Sequence, residues 1–174
     1  MIKLQNSLPN TITVEGRDYL IKTDFKYWLV FDELIRDDVT LQDLAFLFKE
    51  EVPNCDFSKE LIEFFTNPNS TPNSKGSHDN VIDYQEDGEF IYASFLQAYG
   101  IDLLETNMHW HKFKALVIGL PKDTIMSEIM GYRGYHKDNR KFEKIQEEQK
   151  RVWTLPHETD KEILEELDEL FYNA

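Results

Sequence analysis

Apolar residues recur at helical spacing soon after the start of the chain. Phe25, Trp28, Leu29 and Ile35 fall on one face, and Asp24 precedes them. An aspartate at this position can accept hydrogen bonds from the free N–H groups of a first helical turn. The pattern predicts an amphipathic helix from Asp24 to about residue 36.

Two shorter patterns flank this helix. The β-favouring runs 12–14 and 19–21 surround Gly16, a residue that accepts positive φ, which predicts a small hairpin. After the helix, Thr40 can cap a second one that ends before Pro53, and a third begins at Ser58. The second helix would carry the apolar residues Leu41, Leu44, Ala45, Leu47 and Phe48.

Residues 66–80 are rich in Pro, Asn and Ser and hold no large apolar side chain, which predicts a mobile loop. Beyond it, a helix should run from about Asp83 to Gly100, and another from about Asn107 to Gly119. Asp123 should cap a short helix closed by Gly131. The pattern then predicts a loop over 132–135 and a charged, mostly solvated helix over 138–154.

The C-terminal segment 157–174 contains seven acidic residues and one lysine. Thr159 and Glu162 fit a capping box, and a stripe of five apolar residues follows on one face. Such a helix either packs on its own domain or enters a partner's groove. The candidate partner-binding residues are therefore Ile163, Leu164, Leu167, Leu170 and Phe171.

These elements predict a mainly α fold, a single helical domain over 1–156 with a small N-terminal β-hairpin, followed by an acidic amphipathic C-terminal helix over 157–174. The core should contain the large residues that lie on the apolar helix faces. They are Trp28, Phe31, Phe95, Trp110, Phe113 and Leu116.

Charge and cysteine content limit the classes of function. The 33 acidic and 19 basic residues give a formal charge of −14, which disfavours binding to nucleic acid or to an anionic membrane surface. One cysteine cannot form an internal disulfide, and no apolar run approaches the ~20 residues of a membrane span. The first ten residues lack a signal-peptide core, so we expect a cytoplasmic protein.

Candidate catalytic groups are few. His109 and His111 flank Trp110, but residues two apart on a helix point in opposite directions, so we expect rim histidines rather than a metal chelate. Cys55 has no His or Arg within five residues to activate it. We therefore predict no enzyme activity, no catalytic residues, no metal and no cofactor.

Three stretches resemble a known family. They are DYQEDGEFIYASFLQAYGIDLLE (83–105), HWHKFKALVIGLP (109–121) and IMGYRGY (129–135), in this order. The pattern is similar to the gene-product-fifteen family of tail-module proteins of long-tailed bacteriophages, and its GLP to GYR portion is the most specific.

The resemblance implies a phage or prophage origin and a place among the tail genes beside the tape-measure protein. The expected function is a tail assembly chaperone in the host bacterial cytoplasm that binds the tape-measure protein, with the tail tube protein as a further candidate partner. A structural subunit retained in the tail is the alternative. The sequence leaves open whether the chain forms a homo-oligomer.

Overall fold

The computed structural model describes residues 7–37, 39–66, 81–134 and 143–155. It confirms a mainly α-helical protein with one small antiparallel hairpin. The strands are β1 (Thr11–Val14) and β2 (Arg17–Leu20), and the helices are α1 (Phe25–Leu34), α2 (Ser58–Thr66), α3 (Gly88–Tyr99), α4 (Trp110–Ile118), α5 (Ile125–Arg133) and α6 (Glu143–Trp153).

The described residues form two compact units. Unit 1 contains 7–37, 39–66 and 99–119, and unit 2 contains 81–98, 120–134 and 143–155. The predicted mobile loop, apart from Thr66 at the end of α2, lies outside the described residues. The predicted C-terminal helix over 157–174, and with it the boundary at 156, lies outside them as well.

The hairpin of unit 1 is tighter than predicted. Val14 pairs with Arg17, so only Glu15 and Gly16 form the turn, with φ of 49° and 80°. Two positive φ values are typical of a type I′ turn, whose twist matches that of the strands. The buried side chains of Ile12 and Val14 face the core, and β1 packs against α2.

The core of unit 1 is largely aromatic. Phe25 of α1 stacks on Phe113 of α4 with ring centroids 4.6 Å apart, and Trp28 stacks on Phe64 of α2 at 4.5 Å. Such offset pairs add to the free energy gained by burying the rings. Five of the six predicted core residues are fully buried, whereas Leu116 is only half-buried.

The predicted second helix is wrong. Its cap forms, since the Thr40 hydroxyl accepts from the Asp43 N–H at 3.4 Å, while the Thr40 N–H and hydroxyl both donate to the Asp43 carboxylate. However, the chain continues only as turns and a short 3-10 helix, Ala45–Leu47. Instead, the Leu47 carbonyl accepts from the Lys22 N–H, and the Lys49 N–H donates to the carbonyl of Leu20, the last residue of β2. These backbone groups are therefore not available to an α-helix.

Unit 2 consists of α3, α5 and α6. The predicted cap of α5 is wrong, because Thr124 occupies the cap position without a side-chain bond, and the buried Ser94 hydroxyl of α3 accepts from the Met126 N–H instead. Helix α5 also continues past Gly131 to Arg133, so residues 132 and 133 are helical and not part of a loop. Helix α3 begins at Gly88, later than the predicted start near Asp83, and ends before Gly100 as predicted, where φ is 63°.

Among the described residues, helix α6 spans Glu143–Trp153 and is mostly solvated; the start predicted near residue 138 lies outside them. Its Ile145 and Val152 side chains are 62% and 68% exposed, while Trp153 is half-buried against the ring of Phe90 in α3. The apolar side of this helix is therefore thin. None of the helices in the described ranges is long and apolar enough to cross a membrane.

Candidate functional site

The histidine-bearing segment 109–114 begins α4, and its first residue joins α4 to α1. Asp24 and His109 form an antiparallel bridge, with the Trp110 N–H 2.7 Å from the Thr23 carbonyl. The Asp24 carboxylate caps α1 by accepting from Lys26 N–H and also accepts from Met108 N–H. The two helix N-termini are thus fixed side by side.

The prediction that the two histidine side chains point in opposite directions is wrong. His109 is the N-cap of α4 and lies outside the helical repeat, so its ring lies beside that of His111, with centroids 5.1 Å apart. The Nδ1 atom of His109 accepts from the His111 N–H at 3.0 Å. His109 is half-buried, as predicted for a rim residue, whereas His111 is buried, with 7% of it exposed.

The ring nitrogens are used in hydrogen bonds to carbonyls. Nε2 of His109 lies 2.8 Å from the Pro9 oxygen, and Nε2 of His111 lies 2.9 Å from the Phe64 oxygen. A carbonyl oxygen can only accept, so both Nε2 atoms carry the proton. Burial lowers the pKa of both imidazoles, which keeps them neutral at ordinary pH.

Side chains of α4 also cap the C-terminal end of α2. Trp110 Nε1 donates to the Phe65 carbonyl at 2.9 Å, and the Lys114 ammonium donates to the carbonyls of Phe65 and Thr66 at 2.6 and 2.9 Å. The last carbonyls of a helix have no partner within it and carry partial negative charge. The segment 109–114 therefore supplies hydrogen-bond donors to the last carbonyls of α2.

Lys114 is the most perturbed base of this segment. Burial lowers its pKa to about 8, while the carbonyls and the helix end favour its charged form. The ammonium also lies over the rings of Phe65 and Trp110, at 5.7 and 5.4 Å from their centroids. These contacts fix the lysine as a structural cation.

A second polar cluster, in unit 2, was missed by the sequence reasoning. Arg133 forms a two-pronged ion pair with Asp87, with N–O distances of 2.5 and 2.8 Å, and its side chain is only 6% exposed. Its Nε donates to the Trp153 carbonyl at 2.7 Å. The Asp87 carboxylate also accepts from the Asp83 N–H. One guanidinium thus joins the start of α3 to the ends of α5 and α6.

The signal for this pair was weak. Arg133 lies between Gly131 and Gly134, and these glycines indicated a loop. Asp83 and Asp87 are four residues apart at a helix start, which also fits an ordinary acidic first turn. The local sequence around Arg133 and that around Asp87 give no indication that the two residues pair.

No three His, Cys, Asp or Glu side chains in the described part of the chain lie together as metal ligands would. Partial burial and the neighbouring Glu15 raise the pKa of the Cys55 thiol, which disfavours the reactive thiolate. The candidate partner-binding residues Ile163, Leu164, Leu167, Leu170 and Phe171 lie outside the described residues.

Comparison with known proteins gives one family. The family model described as Bacteriophage Gp15 protein matches residues 42–155, more than half of the chain. Searches of curated proteins and of solved structures find no match. The matched range contains the segment 109–114, the Asp87 and Arg133 pair, and all three stretches that carry the resemblance. The Asp87 and Arg133 pair joins the first stretch to the third. The chain therefore belongs to the bacteriophage Gp15 protein family.

Proposed function

We propose that this phage protein is a non-catalytic tail assembly chaperone that binds the tape-measure protein in the host cytoplasm during tail assembly. The observation that carries the proposal is the contrast between its polar and apolar side chains. The groups best suited to chemistry, His109, His111, Lys114 and Arg133, are engaged in structural hydrogen bonds.

Apolar side chains, in contrast, are exposed on several elements. In unit 1, Val30, Leu104 and Ile118 are 44%, 73% and 62% exposed, and in unit 2, Ile145 and Val152 are similarly exposed. A protein that shields apolar segments of a partner needs such surface, and a net charge of −14 keeps the free protein soluble. Both properties fit a reversible binding protein.

The proposed primary contact is the apolar stripe of the C-terminal segment. Its members are Ile163, Leu164, Leu167, Leu170 and Phe171. They follow the family-matched range, which ends at residue 155, so this contact would be specific to this chain or its close relatives. The tail tube protein is a second candidate partner.

Quantitative mass spectrometry of infected cells and of purified virions tests the proposal. A transient chaperone should be abundant in the lysate during tail assembly and absent from the finished particle. A fixed copy number per virion would contradict the chaperone role and would favour a structural subunit of the tail.

A further inference from the structure

An open groove in unit 1 lies between residues 41–45 and 52–57. It has a volume of about 590 Å³. Most of its lining is apolar, with contributions from Leu41, Ala45, Val52, Pro53, Cys55 and Phe57. We call it the acidic groove because Asp56 lines it and the carboxylates of Glu15 and Glu60 lie close to its Cys55.

One wall of the groove is formed by the turns and the short 3-10 helix that stand where a second helix was predicted. In the turns that replace it, Leu44 and Leu47 point into the core and are 3% and 0% exposed. Leu41 lies on the other side and is 37% exposed. At the opposite wall, Phe57 is buried, and its ring meets the edge of Phe48 at a centroid distance of 4.9 Å. The result is an apolar depression with a rigid aromatic base.

The charges at this groove are negative. Asp56 lines it, and the carboxylates of Glu15 and Glu60 are close enough to act electrostatically on the lining residue Cys55. Hydrogen bonds from Ser58 lower the pKa of Asp56, so it stays ionised at neutral pH. No Lys, Arg or His occurs among the described residues that line the groove.

We propose that the acidic groove binds an apolar segment that carries lysine or arginine beside its apolar residues. Resting on the chaperone role above, we assign this segment to the tape-measure protein. Apolar contact with the exposed Leu41 and the half-buried Val52 adds to the affinity, and the carboxylates around Cys55 select cationic partners.

Charge disfavours the other occupants. The C-terminal segment 157–174 of the same chain has seven acidic residues and one lysine, and a second copy of the chain carries a charge of −14. Both would bring like charge to Asp56 and its neighbours, which costs free energy. A cationic partner gains from the same charges.

The single cysteine of the chain makes the groove directly observable. The experiment measures the rate at which N-ethylmaleimide alkylates Cys55, by mass spectrometry, in the free protein and in its purified complex with the tape-measure protein. Two variants accompany it. Leu41→Lys places a positive charge in the groove, and the matched control Ile62→Lys places one on a 46% exposed apolar position of α2 outside the groove lining.

We expect alkylation of Cys55 to be at least tenfold slower in the complex. Leu41→Lys should raise the Kd for the tape-measure protein at least tenfold, and Ile62→Lys less than twofold. Circular dichroism and thermal melts must show that both variants fold. Asp56→Asn, which keeps a capping oxygen for Ser58, should weaken binding at low salt and lose this effect at high salt.

Three results would overturn the inference, and they differ in what they leave standing. A complex in which Cys55 reacts at the free rate and Leu41→Lys binds normally would exclude the groove but retain the chaperone role. Protection of Cys55 that depends on the concentration of this protein alone would assign the groove to a second copy. No complex with the wild-type chain would overturn both proposals.

Discussion

Asp24 and His109 pair through their backbones, and the side chain of each caps the helix that follows it. Two helices that are 85 positions apart in sequence thus begin at one point. An N-cap normally acts on its own helix alone. Here a change in either cap also affects how the neighbouring helix is held.

The first prediction concerns the cap of α4. His109→Ala removes the acceptor for the His111 N–H and should lower the free energy of unfolding by about 1–2 kcal/mol. His109→Asn restores a capping oxygen and should recover at least half of this loss. Urea denaturation of the three proteins tests the prediction, and equal losses in both variants would contradict the capping role.

The second prediction concerns acid. Burial makes the folded-state pKa of His109 and His111 lower than the value of 6.5 for a free imidazole. The unfolded chain therefore binds more protons than the folded one below pH 6.5. The free energy of unfolding should have its full value above this pH and should decrease as the pH falls below it. Protonation of His109 at Nδ1 would also remove the acceptor of the cap.

Urea denaturation at pH 7.5, 6.5 and 5.5 measures this decrease. The control variant is His111→Gln, whose amide can still donate to the Phe64 carbonyl but does not titrate. The wild-type protein should lose more stability than this variant over the interval. Parallel pH profiles would show that His111 does not contribute to the acid sensitivity.

The third prediction concerns the buried pair of Arg133 and Asp87. Removal of one partner leaves the other charge buried without compensation, so Arg133→Met or Asp87→Leu should lower the free energy of unfolding by about 3–5 kcal/mol. The double variant should be more stable than the sum of the single losses predicts. A double-mutant cycle by thermal or urea denaturation tests this, and additive losses would mean that the two groups are not coupled.

The fourth prediction concerns Lys114. Its folded-state pKa of about 8 is below the unfolded value of 10.5, so the unfolded chain binds more protons between these values. The free energy of unfolding should therefore rise with pH across this window. Lys114→Gln keeps a donor for the carbonyls at the end of α2 and lacks the titration. Its stability should change less between pH 7.5 and 9.5, and an equal change in both proteins would contradict the assignment.

The sequence predicted those elements that local patterns determine. The Asp24 cap, the burial of Phe25 and Trp28 and the positive φ of Gly16 depend on neighbours within a few residues, and all were predicted correctly. Ile35, which was placed on the same face, lies just beyond the end of α1 and is 38% exposed. The second helix was predicted from an equally good local pattern. It failed because residues 47–49 bond to a strand more than twenty positions away.

The candidate site was only partly predictable for a related reason. The helical spacing of His109 and His111 suggested opposite directions, but the cap position of His109 places its ring outside that spacing. The Arg133 and Asp87 pair joins positions 46 apart, and the acidic groove lies between the segments 41–45 and 52–57, the first of which was predicted to be helical. Contacts of this kind follow from tertiary packing and leave little trace in a local pattern.

The most direct test of the chaperone account is co-expression with the tape-measure protein of the same phage. The full chain is compared with a chain that ends at Pro156, and size-exclusion chromatography with light scattering measures the soluble complex. The account predicts a defined complex for the full chain and a weaker or absent one for the truncated chain. A well-folded full chain that forms no complex with the tape-measure protein would contradict it.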